Sequence, residues 1–171
     1  KRYLDCSASD LADIGKADLL YAIRASEGRI LVSETIAVTQ PLLNNVTNAE
    51  LAASQGADLL LLNLFDVDQP HIAGLPADVP PQEALRTLQR LTGRVIGVNL
   101  EAVDPAFATE HNDFWQMTAG RAATAENARK LYQLGARMLV LTGKPNNGVS
   151  NQAIAAALKA IRDEVGDEMV L

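Results

Sequence analysis

Four stretches of the chain share one pattern: apolar residues at helical spacing, a short turn containing glycine, then a run of consecutive apolar residues. They read NAELAASQGADLLLLN, PPQEALRTLQRLTGRVIGVN, TAENARKLYQLGARMLVLTG and SNQAIAAALKAIRDEVGDEMVL. Gly56, Gly93, Gly135 and Gly166 fall where each helix should stop, in the left-handed geometry that glycine tolerates. Asn48, Thr124 and Ser150 stand at N-cap positions, and Pro80 and Pro81 suit the start of the second of these helices. Upstream, ASDLADIGKADLLYAIRASEG predicts one or two helices and RILVSETIAV a first strand.

The pattern predicts five strands, each but the first preceded by its own helix, repeating in steps of roughly 30–40 residues. It reads as a single α/β domain, with residues 1–28 a helical lead-in and 29–171 the βα repeats. No Ser/Pro-rich linker or charge block marks a second domain. Two architectures fit. One is a (β/α)8 barrel of the TIM type with only about five βα units present, since a closed barrel needs about 250 residues. The other is an open five-stranded parallel α/β sheet, which would be complete at this length. The chain stops inside its fifth strand, at GDEMVL, which favours a truncated barrel. Parallel edges left open would invite self-association, so a homo-oligomer is expected.

Composition narrows the partners. Of the 171 residues, 48% are hydrophobic but only 4% aromatic, so the core must be aliphatic, as in helices layered on a buried parallel sheet. A formal charge of −6 without a basic cluster argues against nucleic acid. The one cysteine, Cys6, cannot form an internal disulfide and is read as structural. No run of about 18 apolar residues predicts a membrane span, and the N-terminus lacks the apolar stretch of a secretory signal. A cytoplasmic protein without a membrane partner is expected.

Parallel α/β folds carry their sites at the C-terminal ends of the strands. Those ends offer Ser33 and Glu34 in SET, Asn63 and Asp66 in NLFD, Asn99, Glu101 and Asp104 in NLEAVD, and Thr142, Gly143, Lys144, Asn146, Asn147 and Gly148 in TGKPNNG. All four strands change from apolar to functional groups at one edge. Glu34 and Glu101 are candidate acids or bases. Glu101, Asp66 and Asp104 are candidate Mg²⁺ ligands, because Mg²⁺ takes oxygen donors and needs one or two carboxylates beside its waters. The plainer alternative makes these acids helix caps or solvated loop residues. The glycine-bracketed loop ahead of a helix would present backbone N–H groups to a small anionic metabolite, with Lys144 adding charge and Thr142 a hydroxyl. It lacks the residue order of a P-loop.

His71 reads as a loop residue. His111 lies in a long segment with Phe114, Trp115 and Met117, which reads as a lid or as packing under a loop. No metal-ligand spacing of His and Cys and no Ser-His-Asp order stands out.

From Ala25 to about Asn63, the stretch ASEGRILVSETIAVTQPLLNNVTNAELAASQGADLLLLN resembles the opening of the phosphoenolpyruvate mutase/isocitrate lyase superfamily. The whole chain is similar to an uncharacterised bacterial group described as phosphoenolpyruvate phosphonomutase-like. The resemblance implies a barrel enzyme, a lyase or mutase acting on small 2-oxo and phospho carboxylates, with Mg²⁺ stabilising an enolate. The chain departs from that pattern. Where the superfamily has an Asp-x-Asp pair after its third strand, Asn99-Leu100-Glu101 keeps one carboxylate. The Lys-Lys-Cys-Gly-His type loop is absent, and Thr142-Gly143-Lys144 replaces the carboxylate after strand four. Two alternatives follow. One is another phosphate-binding barrel, an isomerase or an aldolase with Lys144 as Schiff base. The other is a metabolite-sensing or partner-binding barrel that has lost its chemistry.

Overall fold

The computed structural model describes residues 1–102, 118–143 and 149–171. Four strands, β1 (Val32–Ile36), β2 (Leu59–Asn63), β3 (Val95–Glu101) and β4 (Met138–Thr142), form one parallel sheet in the order β1-β2-β3-β4. The sheet order follows the chain order, without the reversal that marks doubly wound folds. The expected fifth strand enters as a single parallel bridge. Val170 lies beside Met138 and exchanges hydrogen bonds with the backbone of Arg137 and Leu139 at 3.0 and 2.8 Å. The protein is thus a mixed α/β protein built on an open parallel sheet. β1 is shorter than the predicted RILVSETIAV because it is an edge strand, paired among the described residues with β2 alone.

Strand residues alternate between the two faces of a sheet. Leu60, Leu62, Ile96, Val98, Leu100 and Leu139 turn to one face, where a single apolar cluster joins them to four helices. These are α3 (Asn48–Ser54), α4 (Ala84–Thr92), α5 (Ala125–Leu134) and α6 (Asn151–Val165), preceded in the chain by the short α1 (Ala8–Leu11) and by α2 (Lys16–Ala25). Each of the four helices puts small or aliphatic side chains into that cluster, among them Ala49, Leu88, Leu131 and Ile161.

Helix ends follow the predicted chemistry with two shifts. Thr124 and Ser150 cap α5 and α6 as expected. The cap of α3 is Thr47, not Asn48: its hydroxyl accepts from the Glu50 N–H while the Glu50 carboxylate accepts from the Thr47 N–H. The Asn48 side chain instead accepts from the N–H of Leu42. Gly56, Gly93 and Gly135 are left-handed, but Gly166 has φ −64°. What requires glycine there is crowding, since a Cβ at Gly166 would lie 2.3 Å from the Arg162 carbonyl oxygen.

The opposite face is divided along the strands. At its N-terminal end, Leu59 and Val95 are covered by Tyr3, Leu11, Ile14, Leu19 and Ala22. Tyr3 locks this cover in place: its hydroxyl donates to the Asp58 carbonyl at 2.7 Å and accepts from the Val95 N–H at 3.3 Å. Midway, Met138 lies across Gly97, where a Cβ would come within 2.6 Å of the methionine methyl. The C-terminal end of this face carries the polar residues.

Candidate functional site

Alternation puts Glu34, Asn63, Asn99, Glu101 and Thr142 on the same face as Leu59 and Val95. Four of these five form a continuous row across all four strands. Thr142 Oγ1 donates to Asn99 Oδ1 at 3.0 Å, Asn99 Nδ2 donates to Asn63 Oδ1 at 3.3 Å, and Asn63 Nδ2 donates to Glu34 Oε1 at 2.8 Å. The row runs diagonally, because Asn63 is in register with Ile36 and Thr142 with Glu101. Every bond points the same way, towards β1, so the chain of donors ends on a carboxylate that accepts. The two amides are thereby oriented, and Glu34 is held by a neutral donor at the solvent-exposed rim.

Glu101 lies at the end of β3 and has a partner that the sequence reading did not single out. Arg121 Nη2 donates to Glu101 Oε1 at 2.6 Å, with both side chains more than nine-tenths buried. The local fold makes this pairing. The 3-10 turn Ala119–Arg121 leads into Ala122, which bridges Glu101, and the Ala123 N–H donates to the Glu101 carbonyl at 2.8 Å. Buried Asn127 on α5 pins the turn by donating to the carbonyls of Ala119 and Ala122. One signal was present in the sequence: Arg121 is a lone charge among small residues, just ahead of the Thr124 cap.

Asp66, one of the expected Mg²⁺ ligands, is engaged by the backbone that follows it. Its Oδ1 accepts from the N–H groups of Asp68 and Gln69 at 2.8 and 3.2 Å, closing a turn after β2. That turn sits tightly on Gly120, where a Cβ would fall 1.9 Å from Asp66 Oδ1. Asp68 is paired with Lys130 of α5 at 2.9 Å. Gly143 also meets a packing demand, since a Cβ there would come 2.7 Å from the Ile154 side chain of α6. Lys144, Asn146, Asn147, Gly148 and Asp104 lie outside the described residues, as do His111, Phe114, Trp115 and Met117.

The backbone immediately after the row is strained. Leu64 has φ +56°, and its N–H donates to Asn63 Oδ1 at 2.8 Å. A branched residue rarely takes that conformation, at a cost of about 1–2 kcal/mol. Leu64 lies on the wall of a cleft of about 1070 Å³ that also reaches Ile36, Asp66, His71 and Arg121.

Of the expected Mg²⁺ ligands, Glu101 and Asp66 are described and Asp104 lies outside the described residues. Glu101 is engaged by the Arg121 cation and Asp66 by backbone donors. Among the described residues, no group of three or more His, Cys, Asp or Glu side chains is placed to hold a metal ion. Among them too, no helix is long and apolar enough to cross a membrane.

The class defined by fold and site is a parallel α/β protein with a polar, carboxylate-bearing rim at the C-terminal ends of its strands. The chain belongs to the family described as "Domain of unknown function (DUF7916)", which it matches over residues 4–171. No curated protein matches it.

Proposed function

We propose that this protein is an enzyme acting on a small carboxylated or phosphorylated metabolite by proton transfer through an enolate, in the manner of a lyase or mutase. The observation that carries the reading is the one-directional row of hydrogen bonds ending on the exposed Glu34 carboxylate. In the proposed step the Glu34 carboxylate takes a proton from the carbon next to a carbonyl. The C–H electron pair becomes the carbon–carbon double bond, and negative charge develops on the carbonyl oxygen. Asn63 orients the base through its 2.8 Å bond. No step is assigned to Mg²⁺, which enters only as a variable of the test.

The test is deuterium exchange at C3 of pyruvate and 2-oxobutyrate, followed by NMR, with Mg²⁺ and phosphate each present and absent. Exchange is expected in the wild type, and Glu34→Gln should slow it about 100-fold or more while leaving Tm nearly unchanged. A thermal shift on adding anion, without exchange, would instead assign the metabolite-sensing alternative. The absence of both exchange and shift across the panel sinks the proposal.

We also propose that the sheet is part of a (β/α)8 barrel. Three features support this: the sequential parallel order, the four crossover helices gathered on one face, and side chains layered on the other. Closure would cover Leu31 and Val32 at the edge, which are 59% and 50% exposed. In a polypeptide carrying about three more βα units, the outer amides of β1 should be protected from hydrogen exchange. Rapid exchange there would refute closure. Without such units, that edge is the surface through which copies would associate.

A further inference from the structure

A side-chain amide can turn end for end, exchanging its donor and acceptor, so a row of amides has two possible directions. The members of the row limit that choice unequally. The Thr142 hydroxyl rotates and can donate or accept, and the amides of Asn99 and Asn63 can each turn over. Two groups cannot change role. The ionised Glu34 carboxylate only accepts, and the Leu64 N–H only donates. That N–H lies 2.8 Å from Asn63 Oδ1, closer than Asn99 Nδ2 at 3.3 Å.

The peptide that carries this N–H is clamped from its other edge. A trans peptide points its carbonyl and its N–H in opposite directions. The Asn63 carbonyl accepts from the Ala37 N–H at 2.9 Å, which holds the Leu64 N–H turned away from β1. The left-handed backbone at Leu64 then takes the chain out of the sheet, towards the fully buried Phe65 and the Asp66 turn. The N–H is thereby left to the Asn63 side chain. A reversed Asn63 would set its own NH2 group against this fixed donor and its oxygen against the Glu34 carboxylate.

We infer that Leu64 is a positioning residue for Glu34: its backbone N–H, and not the hydroxyl at the far end, sets the direction of the row. This rests on the proposed function, in which Glu34 is the base. A carboxyl group that has taken a proton can donate, and an unrestrained amide would turn over to accept from it. The Leu64 N–H blocks that turn. Asn63 keeps donating to Oε1, so the substrate proton is received and held on Oε2, which has no hydrogen-bond partner among the described residues.

The experiment reads two quantities in the full chain. One is the NMR coupling across the hydrogen bond, between the residue-64 amide nitrogen and the Asn63 side-chain carbonyl carbon. The other is deuterium exchange at C3 of pyruvate. Leu64→Gly and Leu64→Asn suit a left-handed backbone, whereas Leu64→Ile keeps the apolar bulk and resists it. The coupling should persist in Leu64→Gly and Leu64→Asn and vanish in Leu64→Ile, with exchange about tenfold slower in Leu64→Ile than in Leu64→Gly. A role for the leucine side chain in packing alone predicts the opposite order, and that order overturns the inference. Thr142→Val should leave the coupling in place. Loss of the coupling in Thr142→Val, or in both Leu64→Gly and Leu64→Asn, also overturns the inference, and neither result depends on Leu64→Ile folding. Exchange that requires Glu34 but is equal in Leu64→Ile and Leu64→Gly overturns it and leaves the reaction standing. The expected couplings without exchange in the wild type remove the reaction and keep Leu64 as the residue that directs the row.

Discussion

A leucine at φ +56° inverts the usual ranking of substitutions. In ordinary backbone, alanine is preferred to glycine; at Leu64, glycine should be the better replacement. Leu64→Gly is expected to exceed Leu64→Ala in stability by about 1 kcal/mol, read from urea midpoints. The opposite order would mean the turn relaxes without help. The Glu101–Arg121 pair calls for a different comparison. Removing one member strands the other in a buried setting, so Arg121→Met alone should cost about 3–5 kcal/mol. Glu101→Leu combined with Arg121→Met should cost well below the sum of the single losses, measured by the same unfolding curves. Residue types at the rim were legible in the sequence, because apolar runs end where functional groups begin. The partner of Glu101 was not, since nothing local links positions 20 residues apart.

At the scale of elements, caps and close approaches decide where helices and loops sit. The Thr47–Glu50 reciprocal cap should make Thr47→Ala cost about 1 kcal/mol, and Asn48→Ala should cost less, in thermal or urea unfolding. The Thr-x-x-Glu spacing that selects Thr47 was visible in the chain; the adjacent Asn48, also a good cap former, masked it. Gly120 joins two elements. Its carbonyl accepts from the Val67 N–H at 3.1 Å and its Cα crowds Asp66, so Gly120→Ala must displace the turn after β2. Overpacking of this kind is expected to cost about 1–3 kcal/mol in urea unfolding.

At the scale of the molecule, Tyr3 ties the N-terminal segment to the starts of β2 and β3. Burial pushes its phenol from 10.0 up to about 12. The unfolded chain therefore loses this proton first as pH rises. The associated stability is fully present below pH 10 and is lost between about pH 10 and 12, at up to about 1.4 kcal/mol per pH unit. Urea midpoints at successive pH values should show this fall in the wild type, and Tyr3→Phe should lack it. An unchanged alkaline slope in Tyr3→Phe would assign the fall to other groups.

Periodicity, alternation and turn chemistry are properties of short windows, so the sequence by itself determined the βα repeats, the parallel sheet class and the strand ends at which polar groups gather. It also determined that the core would be aliphatic. The tertiary structure decided which of those groups meet. Glu34, Asn63, Asn99 and Thr142 are separated by 29, 36 and 43 residues at their successive contacts, and only strand register brings them into one row. Register depends on helices packing across the sheet as a whole, which no short window contains.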